Sequence, residues 1–391
     1  MELYSYSYSV PYVIVILILF YLAFKENKTS SISKKNKLIG TASLLLIFFF
    51  GFRGFIQSDF QNYYPWFEDL PTIWQYRSFV KAFSENYEPG FVLFTILCKS
   101  VFPNYFFWIF VCTLIDILLL RKIFREYSFN VCLSFAIYFA IGAVIMEFNL
   151  MRNIKAILIL IIAMKYVREN NIGKYLLCVF TSMLFHITSI IFIPLYFVIG
   201  KKWPKSLLIG IFIACMAVLF LRISFLPVLL PSVAQFLGGE YAVLTEYYFS
   251  NGALDASYGI SFGLIERVIT LFLVIFYYDK WTDNTGNGYI FPNLFVLYFM
   301  CFSLLTEMSM LLERFAYFFA LSYCVFYPNL IKLIHYPNNR VILAFYIFSV
   351  FTLKIAQQTR SVVCKYDNVL FGIESFEERL STLQFFNASI K

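Results

Sequence analysis

Long apolar runs separated by short polar connections dominate the pattern along this chain. They are continuous, without the alternation of apolar and polar residues that marks the strands of a membrane barrel. About 20 predominantly apolar residues suffice for a helix to cross a bilayer. The pattern therefore predicts an all-α, polytopic membrane bundle with about twelve transmembrane helices, and it excludes a water-soluble enzyme.

The predicted spans lie near residues 8–24, 38–52, 104–120, 129–148, 152–168, 174–187, 188–200, 205–222, 258–278, 289–307, 311–331 and 340–357. The runs 174–187 and 188–200 are too short for a full crossing, so we expect half-helices or a re-entrant pair flanking His186. The run 88–102 is also short and contains Lys99. We expect it to be an external helix on the membrane surface, because counting it as a crossing would invert every later loop.

Composition agrees with this pattern, since 61% of the residues are hydrophobic and only 14% are charged. No stretch resembles a separate aqueous domain, so residues 1–391 are predicted to form one transmembrane domain. It would carry an external loop at 53–103 and an external C-terminal segment at 358–391. Within that segment Phe376, Leu380 and Leu383 have helical spacing, which predicts at most an interfacial amphipathic helix.

The basic residues orient the predicted spans, because cytoplasmic loops collect Lys and Arg. Alternate connections are rich in cations, near residues 25–37, 121–125, 165–174, 201–205 and 332–340. These connections are predicted to be cytoplasmic, which leaves both termini outside. The net charge of +8 then needs no nucleic-acid partner to explain it.

Ionisable residues near the ends of the runs gather on the external side. The candidates are Arg53, Asp59, Glu147, Arg152, His186, Glu313, Arg314, Arg360 and Tyr366. Each has a structural explanation as well, such as snorkelling to the headgroups, a cap, or a local ion pair of Arg152 with Glu147. A charge at bilayer depth costs roughly 2.5–3.5 kcal/mol on insertion scales, and the positive-inside rule disfavours arginine here. Because these residues converge on one leaflet, we favour a functional role for them over separate structural roles.

Several arginines at the outer membrane surface indicate a lipid diphosphate. The guanidinium fork matches phosphate oxygens two at a time and would stabilise charge on a departing diphosphate. We assign diphosphate binding to Arg53, Arg152, Arg314 and Arg360, with Glu313, Glu147 and Tyr366 in support. The chain has only two histidines and no DxD or HxxxH motif, so neither a metal nor another cofactor is expected.

The predicted external loop is also rich in aromatic residues, namely Tyr63, Tyr64, Trp66, Trp74, Tyr76 and Tyr87. Flat rings beside amide side chains suit sugar recognition, but aromatic residues also gather at any membrane interface. The sequence leaves both interpretations open.

Six short motifs occur in order along nearly the whole chain: FRGFIQSDFQNYYPWF, EPGFVLFTIL, LMRNIKAILI, FHITSI, ERFAYFF and YDNVLF. Together they resemble the EpsG/Wzy-type polysaccharide polymerases of bacterial envelopes, which include the O-antigen and exopolysaccharide polymerases. The order of an external carboxylate loop, a surface helix and a span ending in basic residues also resembles the GT-C membrane glycosyltransferases.

This resemblance implies a multi-pass glycosyltransferase of the bacterial inner (plasma) membrane whose site faces the periplasm or outside. It would transfer glycan from undecaprenyl diphosphate to a hydroxyl of an incoming lipid-linked repeat unit, with inversion and without a metal. By analogy with GT-C enzymes Asp59 would be the base, and His186 competes for that role because a neutral imidazole accepts a proton near neutral pH. The implied partners are the lipid-linked donor and acceptor, the bilayer and a chain-length regulator, with no nucleic acid.

Two alternatives stay open. One is an O-antigen-type ligase, or another lipid-linked glycosyl or acyl transferase, with the same chemistry and a different acceptor. The other is a flippase or transporter that binds the lipid-linked oligosaccharide without reacting. A transporter usually places charges or broken helices near mid-membrane, whereas the charges here gather at one face.

Overall fold

The computed structural model describes residues 2–75, 83, 87–237, 261–285 and 288–390. In these residues the chain forms helices and turns with isolated β-bridges but no strand. The helices divide into two compact units, Met1–Tyr196 with Tyr323–Lys391, and Phe197–Ser322. The predicted all-α class is confirmed for the described part of the chain.

The helices are, in chain order, α1 (Tyr6–Lys28), α2 (Ile32–Gly51), α3 (Phe60–Asp69), α4 (Pro89–Val101), α5 (Tyr105–Tyr127), α6 (Val131–Phe148), α7 (Met151–Arg168), α8 (Ile172–Met183), α9 (Phe192–Leu195), α10 (Lys205–Phe220), α11 (Leu226–Leu237), α12 (Phe262–Thr285), α13 (Ile290–Leu304), α14 (Ser309–Ala320), α15 (Ser322–Leu333), α16 (Pro337–Gln358) and α17 (Phe376–Ile390). Short 3₁₀ turns lie at Ile187–Ile191 and Val362–Cys364.

By length and composition, α1, α6 and α16 can each cross a membrane. Helices α4, α8, α10 and α13 are apolar but shorter. Helices of this length and composition are typical of a membrane protein. The predicted number of about twelve crossings stays a prediction.

Helix α6 forms the centre of the first unit. It is apolar on all sides, as a helix enclosed by other helices must be, and 94% of its span is buried. It packs against α1, α2 and α16, and its middle contains a π-helical turn at Phe139–Ala143. Its first N–H groups are satisfied by Asn130 Oδ1 and by the buried carboxylate of Glu26, which accepts from Val131 N and Cys132 N at 3.2 and 2.8 Å.

The basic connections of the first unit meet at one end. Arg125 donates to Asn36 at 2.8 Å, and Arg168 pairs with Glu126 at 3.1 Å. At the same end the Asn329 side chain accepts from the N–H that follows α5, that of Phe129. At the opposite end α2, α6, α8 and α16 terminate while α5 and α7 begin. We call this opposite end, with residues 52–59, 87–90, 147–153, 184–189 and 361–374, the site end.

Helices α3 and α4 pack at the site end through aromatic side chains. Trp66 stacks on Phe91 with ring centroids 5.5 Å apart, and Tyr63 packs on Trp108. Lys99 is also buried and donates to three carbonyl groups at the end of α3, those of Phe67, Glu68 and Leu70, at 2.7–2.8 Å. This ammonium therefore caps α3 and explains a lysine in an apolar helix.

The predicted segment 88–102 forms a helix, α4, whose external position stays a prediction, and the predicted C-terminal helix is present as α17. The short run at 174–187 forms α8, which ends at Met183 before a turn at His186. The run 188–200 is not a continuous helix but a 3₁₀ turn and the single turn α9.

The second unit contains α10 to α14. The side chain of Asn293 in α13 joins its parts, because its amide donates to the carbonyl groups of Ile199 and Lys201 at 2.8 Å and accepts from Tyr278. The buried Arg267 of α12 lies over the ring of Phe302. The single span predicted at 311–331 is two helices, α14 and α15, which meet at Leu321.

Candidate active site

Arg53 lies just beyond α2 and is buried, with 3% of its surface exposed. Its guanidinium donates to the carbonyl oxygens of Phe50 and Glu147 at 3.2 and 2.8 Å and contacts Met151 Sδ at 3.7 Å. The same group lies 4.8 Å from the ring centroid of Phe148. These contacts fix Arg53 between the end of α6 and the start of α7.

Burial lowers the pKa of the Arg53 guanidinium from its ordinary value, and the neighbouring Tyr105 and Glu147 act in the opposite direction. An arginine keeps its charge even so, because its ordinary pKa lies far above neutral pH. A buried positive charge therefore stands at the site end.

The turn that leads to Asp59 has a constrained backbone. Gln57 has φ +69°, in the left-handed region, and its N–H donates to Val363 O at 2.9 Å. Asn149 Oδ1 accepts from the N–H groups of Ser58 and Asp59, each at 3.3 Å. Backbone conformations of this kind cost about 1–3 kcal/mol and cluster at functional sites. The loop after α6 thus holds the partly exposed Asp59 in place at the start of α3.

Tyr63 ties the same loop to α3. Its hydroxyl donates to Asn149 O at 3.2 Å. Burial raises the pKa of Tyr63 well above its ordinary range, while Arg152 acts against that rise. The hydroxyl therefore stays protonated and keeps its role as a donor.

Arg152, in the first turn of α7, pairs with Glu88, with Nη1 and Oε2 2.6 Å apart. It is this partner, and not Glu147, that forms the ion pair with Arg152. The guanidinium also lies 4.7 Å from the ring centroid of Tyr87. The other oxygen of Glu88 accepts from Ile187 N at 3.4 Å, next to His186. Glu88 therefore links Arg152 to the His186 turn, a role that sequence reasoning missed although the EPGF motif contains it.

His186 is buried at the N-terminus of the 3₁₀ turn. Its Nδ1 is 2.6 Å from Thr188 Oγ1. The turn is also held by Gly90 N, which donates to Leu184 O at 2.8 Å. These contacts place His186 at the same end of the first unit as Arg152.

Glu147 supports the site in a different way from that expected. Its backbone carbonyl accepts from Arg53, and its carboxylate accepts from Tyr138 at 2.7 Å. Asp116, whose role the sequence did not reveal, pairs with Lys155 at 2.9 Å, and both are buried. No sequence pattern indicates this pair, because its members lie on α5 and α7.

The segment after α16 packs on Arg53. Tyr366 donates to Phe49 O at 2.8 Å, and its ring stacks on Phe49 with centroids 4.3 Å apart. Burial raises the pKa of Tyr366 to about 12, so it remains a donor. Arg360 instead lies at the surface over the ring of Tyr4, 5.4 Å from its centroid.

The remaining predicted residues belong to the second unit. Arg314 is partly exposed on α14. Glu313 precedes it on the same helix, and its side chain is outside what the structure describes. The structure thus brings Arg53, Asp59, Glu147, Arg152 and His186 to one end of the first unit, and the placement of Arg314 beside them stays a prediction.

The predicted aromatic residues of the external loop differ in exposure. Tyr63 and Trp66 are buried in the packing of α3 against α4 and α5, whereas Trp74 is 79% exposed. Tyr76 lies outside the described residues. Packing therefore explains two of these side chains without a sugar.

No three His, Cys, Asp or Glu side chains among the described residues gather as a metal site requires. The carboxylate of Glu88 is instead paired with Arg152 and with the N–H of Ile187. The arrangement offers positive charge from two arginines beside a carboxylate and an imidazole.

Comparison with known proteins gives one family. The EpsG family matches residues 36–367, which include both arginines of the site end, Asp59 and His186. Neither curated proteins nor solved structures gave a significant match. The match covers most of the chain, so the chain belongs to the EpsG family, a family of Wzy-type polysaccharide polymerases.

Proposed function

We propose that the chain polymerises lipid-linked oligosaccharide repeat units on the outer face of the bacterial plasma membrane. The donor would be a glycan on undecaprenyl diphosphate, and the acceptor a hydroxyl of an incoming lipid-linked repeat unit. The proposal rests on one observation. Arg53 and Arg152 lie at the same end of the first unit as Asp59 and His186. That end is opposite the basic connections, as the positive-inside rule requires of an external site.

In the proposed mechanism Arg53 and Arg152 bind the donor diphosphate. A guanidinium has five N–H donors, and the contacts of Arg53 among the described residues use three of them. The remaining donors suit phosphate oxygens, and a buried charge stabilises a leaving diphosphate more strongly than an exposed one. Arg314 is proposed as a third arginine, oriented by Glu313, and Arg360 as a more peripheral one.

Asp59 or His186 would remove the proton of the acceptor hydroxyl as it attacks the anomeric carbon. The diphosphate would leave from the opposite face, which inverts the anomeric configuration. The step is balanced without a nucleotide or metal, because the lipid diphosphate carries the activation and departs with the bonding electrons. The supporting observation is the turn at Gln57–Asp59, in which Asn149 Oδ1 accepts from the backbone N–H of Asp59 and fixes the position of that residue.

The experiment is to delete the gene and analyse the surface glycan. We expect lipid carrying one repeat unit and no ladder of longer chains. Complete loss of surface sugar would indicate a ligase instead, and accumulation of single units on the inner leaflet would indicate a flippase.

Complementation with variants then tests the residues. If the arginines bind phosphate through two donors at once, Arg53→Lys should restore the ladder little better than Arg53→Ala. Full ladders from Arg53→Lys would contradict diphosphate binding by this residue. Asp59→Asn and His186→Gln, compared separately, identify the base as the one whose loss removes the ladder at unchanged protein abundance.

A further inference from the structure

The C-terminal helix α17 follows the family-matched residues and reaches back to the site end. Its first residue, Phe376, packs its ring against those of Phe55, Phe60 and Tyr64, with centroids 5.6, 5.8 and 4.9 Å apart. Helix α17 therefore rests directly on the segment that carries Arg53 and Asp59.

Arg379 is the charged residue that anchors this helix. It is 2% exposed, and its Nη2 lies 2.9 Å from Asp367 Oδ2. The same atom donates to Lys365 O at 2.7 Å, and Nε lies 2.9 Å from Glu374 Oε2. One buried guanidinium thus holds three points of the loop between α16 and α17.

Asp367 connects the loop that Arg379 holds to the backbone on either side of Arg53. Its backbone carbonyl accepts from Gly54 N at 3.3 Å, and Val369 N donates to Phe52 O at 2.8 Å. Between them Arg53 forms an antiparallel bridge with Asn368. The backbone of Arg53 is therefore paired on both sides with the segment that Arg379 holds.

The contact between Asp367 and Gly54 is unusually close. A Cβ atom at Gly54 would lie 2.3 Å from Asp367 Oδ1, a distance that no real side chain tolerates. The Asp367 carboxylate therefore fills the place that a side chain at residue 54 would take, and only glycine leaves room for it there.

We infer that Arg379 is a positioning residue for Arg53, acting through Asp367. This inference rests on the proposed role of Arg53 in binding the donor diphosphate. It assigns to α17 the task of holding the guanidinium at the distance from the acceptor base that the transfer requires. A displacement of about 1 Å at a reacting centre can cost on the order of 100-fold in rate.

The test compares three variants. They are the single variant Arg379→Ala, the double variant that combines Asp367→Asn with Arg379→Met, and the control Gln384→Ala at an exposed position on the same helix. Initial rates of polymerisation are measured on purified protein with a lipid-linked repeat unit, together with thermal stability. Arg379→Ala leaves the largely covered carboxylate of Asp367, 11% exposed, without its ion pair, so we expect losses in both quantities. In the double variant the charge of Asp367 is gone as well, so we expect stability to recover in part, since Lys365 O and Glu374 still lose their contacts with Arg379, while the rate stays on the order of tenfold low.

Recovery of the full rate in the double variant would overturn the inference, since Arg379 would then serve stability alone. Hydrogen exchange of residues 49–57 gives a readout independent of activity, and we expect faster exchange in the double variant than in Gln384→Ala. Unchanged exchange would also overturn the inference. If the wild-type protein makes no polymer, the proposed function fails, and exchange still decides whether Arg379 holds the Arg53 segment.

Discussion

Arg53 illustrates how a charged residue is kept at the edge of an apolar helix. Its guanidinium is removed from water, and the carbonyl groups of Phe50 and Glu147 replace part of its hydration. The sequence identified the residue from its place after an apolar run. It could not reveal these acceptors, because Glu147 lies 94 residues away in the chain.

Gly54 gives a prediction at the residue scale. In Gly54→Ala the new methyl group would lie 2.3 Å from Asp367 Oδ1 and 2.8 Å from Ile373 Cγ2. The segment must therefore move, and we expect polymerisation to fall on the order of 10- to 100-fold. Overpacking also costs about 1–3 kcal/mol, which should lower the melting temperature in detergent.

The matched control is Gly40→Ala in α2, because nothing lies within 4 Å of a Cβ atom there. Alanine is the better helix former, so this variant should retain full activity and equal or higher stability. Equal activities of the Gly54 and Gly40 variants would show that the close contact with Asp367 is unimportant.

At the scale of elements, the ion pair of Arg152 with Glu88 joins the start of α7 to the start of α4. Its side chains are 23% and 14% exposed, so a structural role and a diphosphate-binding role are both compatible with the geometry. The reversed pair, Glu88→Arg with Arg152→Glu, separates them. We expect it to keep the fold, since opposite charges still meet and only the long contact with Ile187 N is lost, but to make no polymer, since position 152 no longer attracts phosphate.

The single variant Glu88→Gln is the control for this pair. It leaves Arg152 positive but removes the charge that fixes it, so an intermediate loss of polymerisation is expected. Normal ladders from the reversed pair would assign Arg152 to structure alone.

Short apolar helices show what a pattern can reveal about an element. Helix α4 was predicted from its length and from Lys99, and the structure contains the helix. The reason for the lysine is tertiary, because its three acceptors lie at the end of α3. A hydropathy profile counts the buried charge of Lys99 as unfavourable. It contains no information about the carbonyl groups that compensate this charge.

For the whole molecule, the two ends of the first unit predict opposite labelling. Trp74 is exposed on the predicted external side, and Lys122 is exposed at the end with the basic connections. In a cysteine-free background, a membrane-impermeant maleimide should label Trp74→Cys in intact cells. Lys122→Cys should react only after the cells are permeabilised. The reverse pattern would place Arg53 and Asp59 in the cytoplasm and contradict an external site.

The sequence by itself determined the helical membrane class and the family, and it identified the candidate residues of the first unit, because hydropathy, charge asymmetry and short motifs are local properties of the chain. Only the tertiary structure decided the partners: Glu88 for Arg152, Lys155 for Asp116, and Arg379 for Asp367. Ion pairs between helices depend on rotation and register, and many sequences with the same hydropathy can satisfy them. For that reason the residues that hold the site in place became visible only when the helices were packed.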